Sequence, residues 1–296
     1  MRTLRLVALV VGLLAVTAVT SPWIAMGLGA LGVEFKFSRV YNRVFEVLLV
    51  LGIVLGWRRL DLGNATEIGL RHPRWARDLA RGLLIGVVGV GAGVLACWLG
   101  GAMVPQLRYD VGKTLAKAAA GVLGSIIVAV GEEALFRGVL LRRFSADLGR
   151  VGGVLLSTAI YAVVHALRPG GSKEAYAMAG IDRTIGLFAP LGQPGVLPSV
   201  LGLFGLGLVL TAARLRTGTL WVAIGIHAAY VAVFRVGRLL LDIRTTPAWL
   251  IGPGWPPLIG GAGGLVAVIV TAAVLALALQ RRGGLPAAAR DPTLAA

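Results

Sequence analysis

Residues Gly131–Arg142 read GEEALFRGVLLR, and the rest of the chain is best understood outward from them. Two adjacent carboxyls, Glu132 and Glu133, and one guanidinium, Arg137, follow directly on Ala118–Val130 (AAAGVLGSIIVAV), which carries no charge. Such an apolar run reads as a membrane helix. Ionisable groups at membrane depth cost roughly 2.5–3.5 kcal/mol each on insertion scales, so they are kept for partners or for chemistry. On a helix Glu133 and Arg137 are four apart and share a face, with the carboxylate first, the favourable order for an ion pair. Glu132 is rotated about 100° from that face and is less neutralised. The spacing therefore assigns Glu133 and Arg137 to structure and leaves Glu132 available for chemistry.

Composition agrees with a membrane setting. The 296 residues are 57% hydrophobic and 14% charged, with a mean hydropathy of +0.85, which describes a polytopic membrane protein rather than a soluble domain. A net charge of +16 would point to nucleic acid in a soluble protein. Here the arginines cluster in short links between apolar runs, so membrane topology explains them and no nucleic-acid partner is expected. The single Cys97 excludes an intrachain disulfide and a cysteine-based zinc site.

Apolar runs of spanning length occur at about 4–28, 40–57, 82–104, 111–142, 151–167, 196–214, 219–236 and 261–280. They predict an all-α fold of about eight transmembrane helices with the site in a cavity of the bundle. Residues 1–110 hold helices 1–3, residues 111–236 the catalytic core of helices 4–7, and residues 237–296 a link, the last span and a short tail. The larger share of Lys and Arg falls at the two ends and in the links after the second, fourth and sixth spans. That bias puts both termini in the cytoplasm and Glu132 towards the cytoplasmic end of the fourth helix. The link 168–195, rich in Gly and Pro, reads as a re-entrant or surface-lying lid. In the link 237–260, Trp249 and Trp255 suit anchors at the membrane interface.

Of the three histidines, His72 lies in the basic link RHPRW and reads as solvated or headgroup-facing. His165 and His227 each fall inside a predicted membrane helix, where an ionisable group marks function more often than packing. Ser157, Tyr161 and His165 recur every four residues and form one polar stripe. Two imidazoles and a carboxylate support two related chemistries. Glu132, His165 and His227 can hold a divalent metal such as zinc that activates water. Alternatively, the glutamate takes a proton from water while the histidines orient it and stabilise the oxyanion. Both lead to attack of water on a carbonyl, and so to peptide hydrolysis.

The same residues carry a family resemblance. EEALFR (132–137) matches the EExxxR motif of the CPBP intramembrane proteases, the CAAX-protease, bacteriocin-processing and abortive-infection family. YAVVH (161–165) resembles its second motif, and LRTGTLWVAIGIH (215–227) its third. The resemblance spans roughly 118–236 and implies an eight-helix membrane protease acting on a protein or peptide at the bilayer, with a multi-pass location in a bacterial inner membrane. It implies catalytic roles for Glu132, His165 and His227 and supporting roles for Glu133 and Arg137. Two positions depart from the pattern. Tyr161 stands where the family usually has Phe, and Val231 where it has Asn or Asp four after the last His. Tyr161 and Ser157, on the His165 face, are candidates to supply the missing polar group. Two other classes of function stay open: a catalytically silent relative that binds or regulates, for which Val231 speaks, and a proton- or ion-coupled carrier.

Overall fold

The computed structural model describes residues 2–33, 35–57, 62–167, 170, 174–193, 195–244, 246–253 and 258–280. The interfacial role expected of Trp255 lies outside the described residues, whereas Trp249 is exposed. The long helices are α1 (Arg2–Ala30), α2 (Phe37–Gly56), α3 (Trp75–Leu99), α4 (Val111–Glu133), α5 (Leu141–Ala166), α7 (Val196–Thr217), α8 (Trp221–Leu240) and α10 (Ala262–Gln280). Shorter pieces are α6 (Ala179–Gly186) and α9 (Ala248–Ile251), and a π-helical segment (Ala134–Leu140) joins α4 to α5. The only sheet among the described residues is an antiparallel pair, β1 (Met103–Pro105) with β2 (Leu241–Ile243). The fold is all-α and built for a membrane. Apolar side chains such as Leu123 and Ile127 on α4, or Leu197 and Leu201 on α7, are exposed four residues apart. In water such stripes would be liabilities; against lipid tails they are the expected outer surface.

Six helical segments among the described residues are long and apolar enough to cross a membrane. Helix α2 is not one of them, because Arg39, Arg43 and Glu46 fall in its first turns. The segment Val111–Ala166 is one unbroken run of 56 residues by composition, but Gly149 (φ 71°, ψ 168°) breaks it. Residues 145 and 153 of a straight helix would stand about 12 Å apart along the axis. Here a Cβ built on Gly153 would lie 2.5 Å from the backbone nitrogen of Ser145, so the chain folds back at Gly149. Glycine reaches this backbone region almost alone. A count of eight spans thus requires two passes from 111–166 and one from α2.

The chain forms two compact units, Met1–Gly63 with His165–Gln193, and Asn64–Val164 with Pro194–Ala296. In the smaller one α6 packs on α1 and α2. Phe37, Tyr41 and Ala179 form its core, and the Tyr41 hydroxyl meets Thr184 Oγ1 at 2.7 Å. The stretch expected to be a lid thus holds a short helix seated on its neighbours. In the larger unit α3 and α8 approach closely where Gly82 faces Val222 and Gly225, the small-residue contact that lets membrane helices pack. Helix α4 lies against the other side of α8 through Ala129, Leu220, Ile224 and Ala228. This packing brings the carboxyls at the end of α4 to the face of α8 that carries His227.

Candidate active site

The site begins where α4 changes pitch. Helix α4 ends at Glu133 and the next seven residues, ALFRGVL, are π-helical. A π segment carries one extra residue per turn and is found frequently at functional sites. Glu133 is fully buried, and its Oε1 accepts from Arg137 Nη1 at 2.8 Å. The ion pair expected from the four-residue spacing is therefore present. Arg137 also donates to the carbonyl of Gly207 on α7 at 3.3 Å, and its guanidinium lies 4.1 Å from the centroid of the Tyr161 ring. Gly207 makes this possible: a Cβ there would lie 2.7 Å from Thr158 Cγ2 and 3.3 Å from Arg137 Nη2.

Glu133 has a second partner that helical spacing did not predict. Its Oε1 also meets Nδ1 of His227, at 2.8 Å. A neutral imidazole bonded to a carboxylate oxygen through Nδ1 donates its proton there, which leaves Nε2 as the nitrogen with the lone pair. That lone pair faces Glu132, whose Oε2 is 3.7 Å away. The two adjacent glutamates thus address opposite nitrogens of one imidazole. Their surroundings differ as sharply: the Glu132 side chain is 32% exposed and that of Glu133 is not exposed at all. Glu132 is the partly exposed side chain, although its Oε2 is buried, and Glu133 is the fully buried one that holds the ring.

His165 completes the group. The division between the two units falls inside α5, one residue before His165, so the helix that carries Tyr161 carries His165 as well. One ligand atom each from Glu132, His165 and His227 lies within 4.8 Å of the others. The Tyr161 ring packs edge-on against His227, with centroids 6.0 Å apart, and against Phe136 at 5.2 Å. Ser157 is buried and its hydroxyl donates to the carbonyl of Val154 on its own helix at 3.3 Å.

The donor set suits a catalytic metal. Two imidazoles and one carboxylate are a known zinc combination, and tetrahedral bonds of roughly 2.0–2.2 Å set neighbouring donors about 3.4 Å apart. The separation of 3.7 Å between His227 Nε2 and Glu132 Oε2 is close to that. The bond from Nδ1 to Glu133 is the outer contact that orients such ligands. The three residues, each with one ligand atom within 4.8 Å of the others, form a possible site for a divalent ion.

Residues 114–233 match the family model described as Type II CAAX prenyl endopeptidase Rce1-like. This segment is similar to the Rce1-like family. The match takes in Glu132, Glu133, Arg137, Tyr161, His165 and His227, and with them all three motifs read from the sequence. It supports an intramembrane protease in general terms. Comparison with curated proteins and with solved structures returns no match.

Sequence reasoning did not find the Glu133–His227 contact, the π segment or the carbonyl of Gly207 as an acceptor for Arg137. The spacing of Glu133 and Arg137 was a sufficient local explanation of Glu133, and no local signal pointed to a second partner.

Proposed function

We propose that the Rce1-like core hydrolyses a peptide bond near the membrane surface, with Glu132, His165 and His227 acting on one water molecule. The observation that carries this reading is the convergence of a partly exposed carboxylate and two imidazoles within 4.8 Å. A proton relay would string such groups along a path; these surround a point. Glu132 accepts a proton from the water, whose oxygen adds to the carbonyl carbon. The protonated Glu132 then returns that proton to the leaving amine as the C–N bond breaks. Glu133 keeps the His227 proton on Nδ1, so Nε2 is directed at the reacting water, and Arg137 holds Glu133 in place through their ion pair. His165 orients the water from α5.

A divalent ion such as zinc, held by Glu132, His165 and His227, would supply Lewis acidity and a more acidic bound water. The trio also serves without one, through general-base catalysis and charge stabilisation. The substrate is a protein or peptide at the bilayer. Both termini are assigned to the cytoplasm of a bacterial inner membrane, with Glu132 on that side. The domain division proposed from the sequence, with residues 111–236 as the catalytic core, contains the whole trio.

Val231 motivates a second reading, in which the chain binds a partner at the same site without turnover. The two separate in variants. His165→Ala and His227→Ala should each abolish processing, and the double variant should be no worse than either, because the groups act on one water. Metal content of purified wild type and His227→Ala protein decides between the two catalytic versions. Equal processing by wild type and both single variants would leave the binding reading.

A further inference from the structure

Helix α2 is the long helix that does not qualify as a membrane span by composition, and the reason is three charged residues, Arg39, Arg43 and Glu46. The two arginines border a cavity of about 420 Å³ between α1 and α2, lined by Ile24 and Leu28 on one side and by Val40, Val44 and Leu48 on the other. Phe35 also lines it and carries the Arg39 guanidinium 5.8 Å from its ring centroid. All of these residues lie in the smaller unit.

We propose that this groove binds an anionic phospholipid, with the phosphate at Arg39 and Arg43 and one acyl chain laid between α1 and α2. Three observations carry the assignment. The lining is apolar throughout, and the two arginines, which stand four apart on one face of α2, give it only the carbon atoms of their side chains. Glu46 pairs with Arg43 but is not part of the lining, so the charge at the mouth remains positive and complements an anion. The length also fits. From Arg39 to Leu48 the helix rises about 13.5 Å, close to the roughly 15 Å of hydrocarbon in one leaflet. Arginines near the start of a helix, with an apolar channel of leaflet depth beneath them, match a lipid headgroup above its chain. The volume is that of an ordinary small-molecule site, roughly 300–1,000 Å³.

The test uses the purified full-length chain, delipidated in a neutral detergent and offered phosphatidylglycerol or phosphatidylcholine, with retained lipid counted by native mass spectrometry. Wild type should retain phosphatidylglycerol in preference. The double variant Arg39→Gln/Arg43→Gln should lose that preference by about tenfold, as expected for about 1 kcal/mol of headgroup attraction per basic residue, one of them partly neutralised. Arg39→Lys/Arg43→Lys should keep it, which separates lost charge from lost folding. Val44→Trp, which fills the groove and leaves the charges, should lose both lipids. An unchanged phosphatidylglycerol preference in the glutamine variant would overturn the role of the arginines. Unchanged retention in Val44→Trp would overturn the groove, and competition by soluble glycerol phosphate as strong as by the lipid would overturn a lipid occupant.

Discussion

Glu133 and His227 stand 94 positions apart in the chain and meet at 2.8 Å, carboxylate oxygen to Nδ1. The same oxygen accepts from Arg137 at 2.8 Å, so one buried carboxylate joins the ion pair of the π segment to the imidazole of α8. The contact explains why a buried glutamate stands beside the partly exposed one. It keeps the His227 proton on the far side of the ring and leaves Nε2 for whatever Glu132 holds.

Removing one member of the buried pair should be costly. Arg137→Ala or Glu133→Gln leaves the remaining charge without its partner, at roughly 3–5 kcal/mol, and thermal unfolding in detergent should show it. The double variant Glu133→Gln/Arg137→Gln removes both charges and should recover much of the lost stability. It should not recover turnover, because a glutamine can offer His227 Nδ1 either its amide oxygen or its amide nitrogen and no longer fixes the tautomer. Full activity in the double variant would confine Glu133 to structure.

Gly207→Ala tests the close passage of α7. The added methyl would lie 2.7 Å from Thr158 Cγ2 and 3.2 Å from Tyr161 Cδ1, which forces neighbours apart at a typical cost of about 1–3 kcal/mol. Tyr161 and Arg137 would shift with it, so activity should fall along with stability. Gly205→Ala, whose methyl would meet only Val268 at 3.5 Å, should be nearly silent. Equal melting temperatures for the two variants would count against the packing described.

Gly149→Ala addresses the fold-back that divides 111–166. A side chain at φ 71°, ψ 168° is strained by roughly 1–3 kcal/mol. Neighbouring space is not the obstacle, since a Cβ there meets nothing within 4 Å. The expected result is a lower unfolding temperature that a second substitution in the surroundings does not repair. A wild-type melting curve would mean that the reversal does not depend on glycine.

The parts that were legible in the sequence were those governed by local periodicity. Uncharged runs marked membrane helices, and a four-residue interval paired Glu133 with Arg137. The link between 142 and 151 anticipated the turn that Gly149 makes. What was hidden depends on distant or weak signals. The π pitch of ALFRGVL has no residue signature that separates it from α-helix. The β1–β2 pair rests on three-residue strands too short to show alternation. That His227 would reach Glu133 as well as Glu132 follows from how α8 packs on α4, and neither helix announces it alone.

The central claim is that Glu132 is the group that activates water, and the direct measurement is the state of membrane-protein termini in cells. A strain lacking the chain would carry either wild type or Glu132→Gln, at matched amounts in the membrane. The substitution keeps shape and hydrogen bonding, and Glu133 still pairs with Arg137, so the protein should remain folded. The account predicts a terminal segment that is removed with wild type and retained with Glu132→Gln, with the rate down about 10²–10⁴-fold. Processing at the wild-type rate by Glu132→Gln would contradict it.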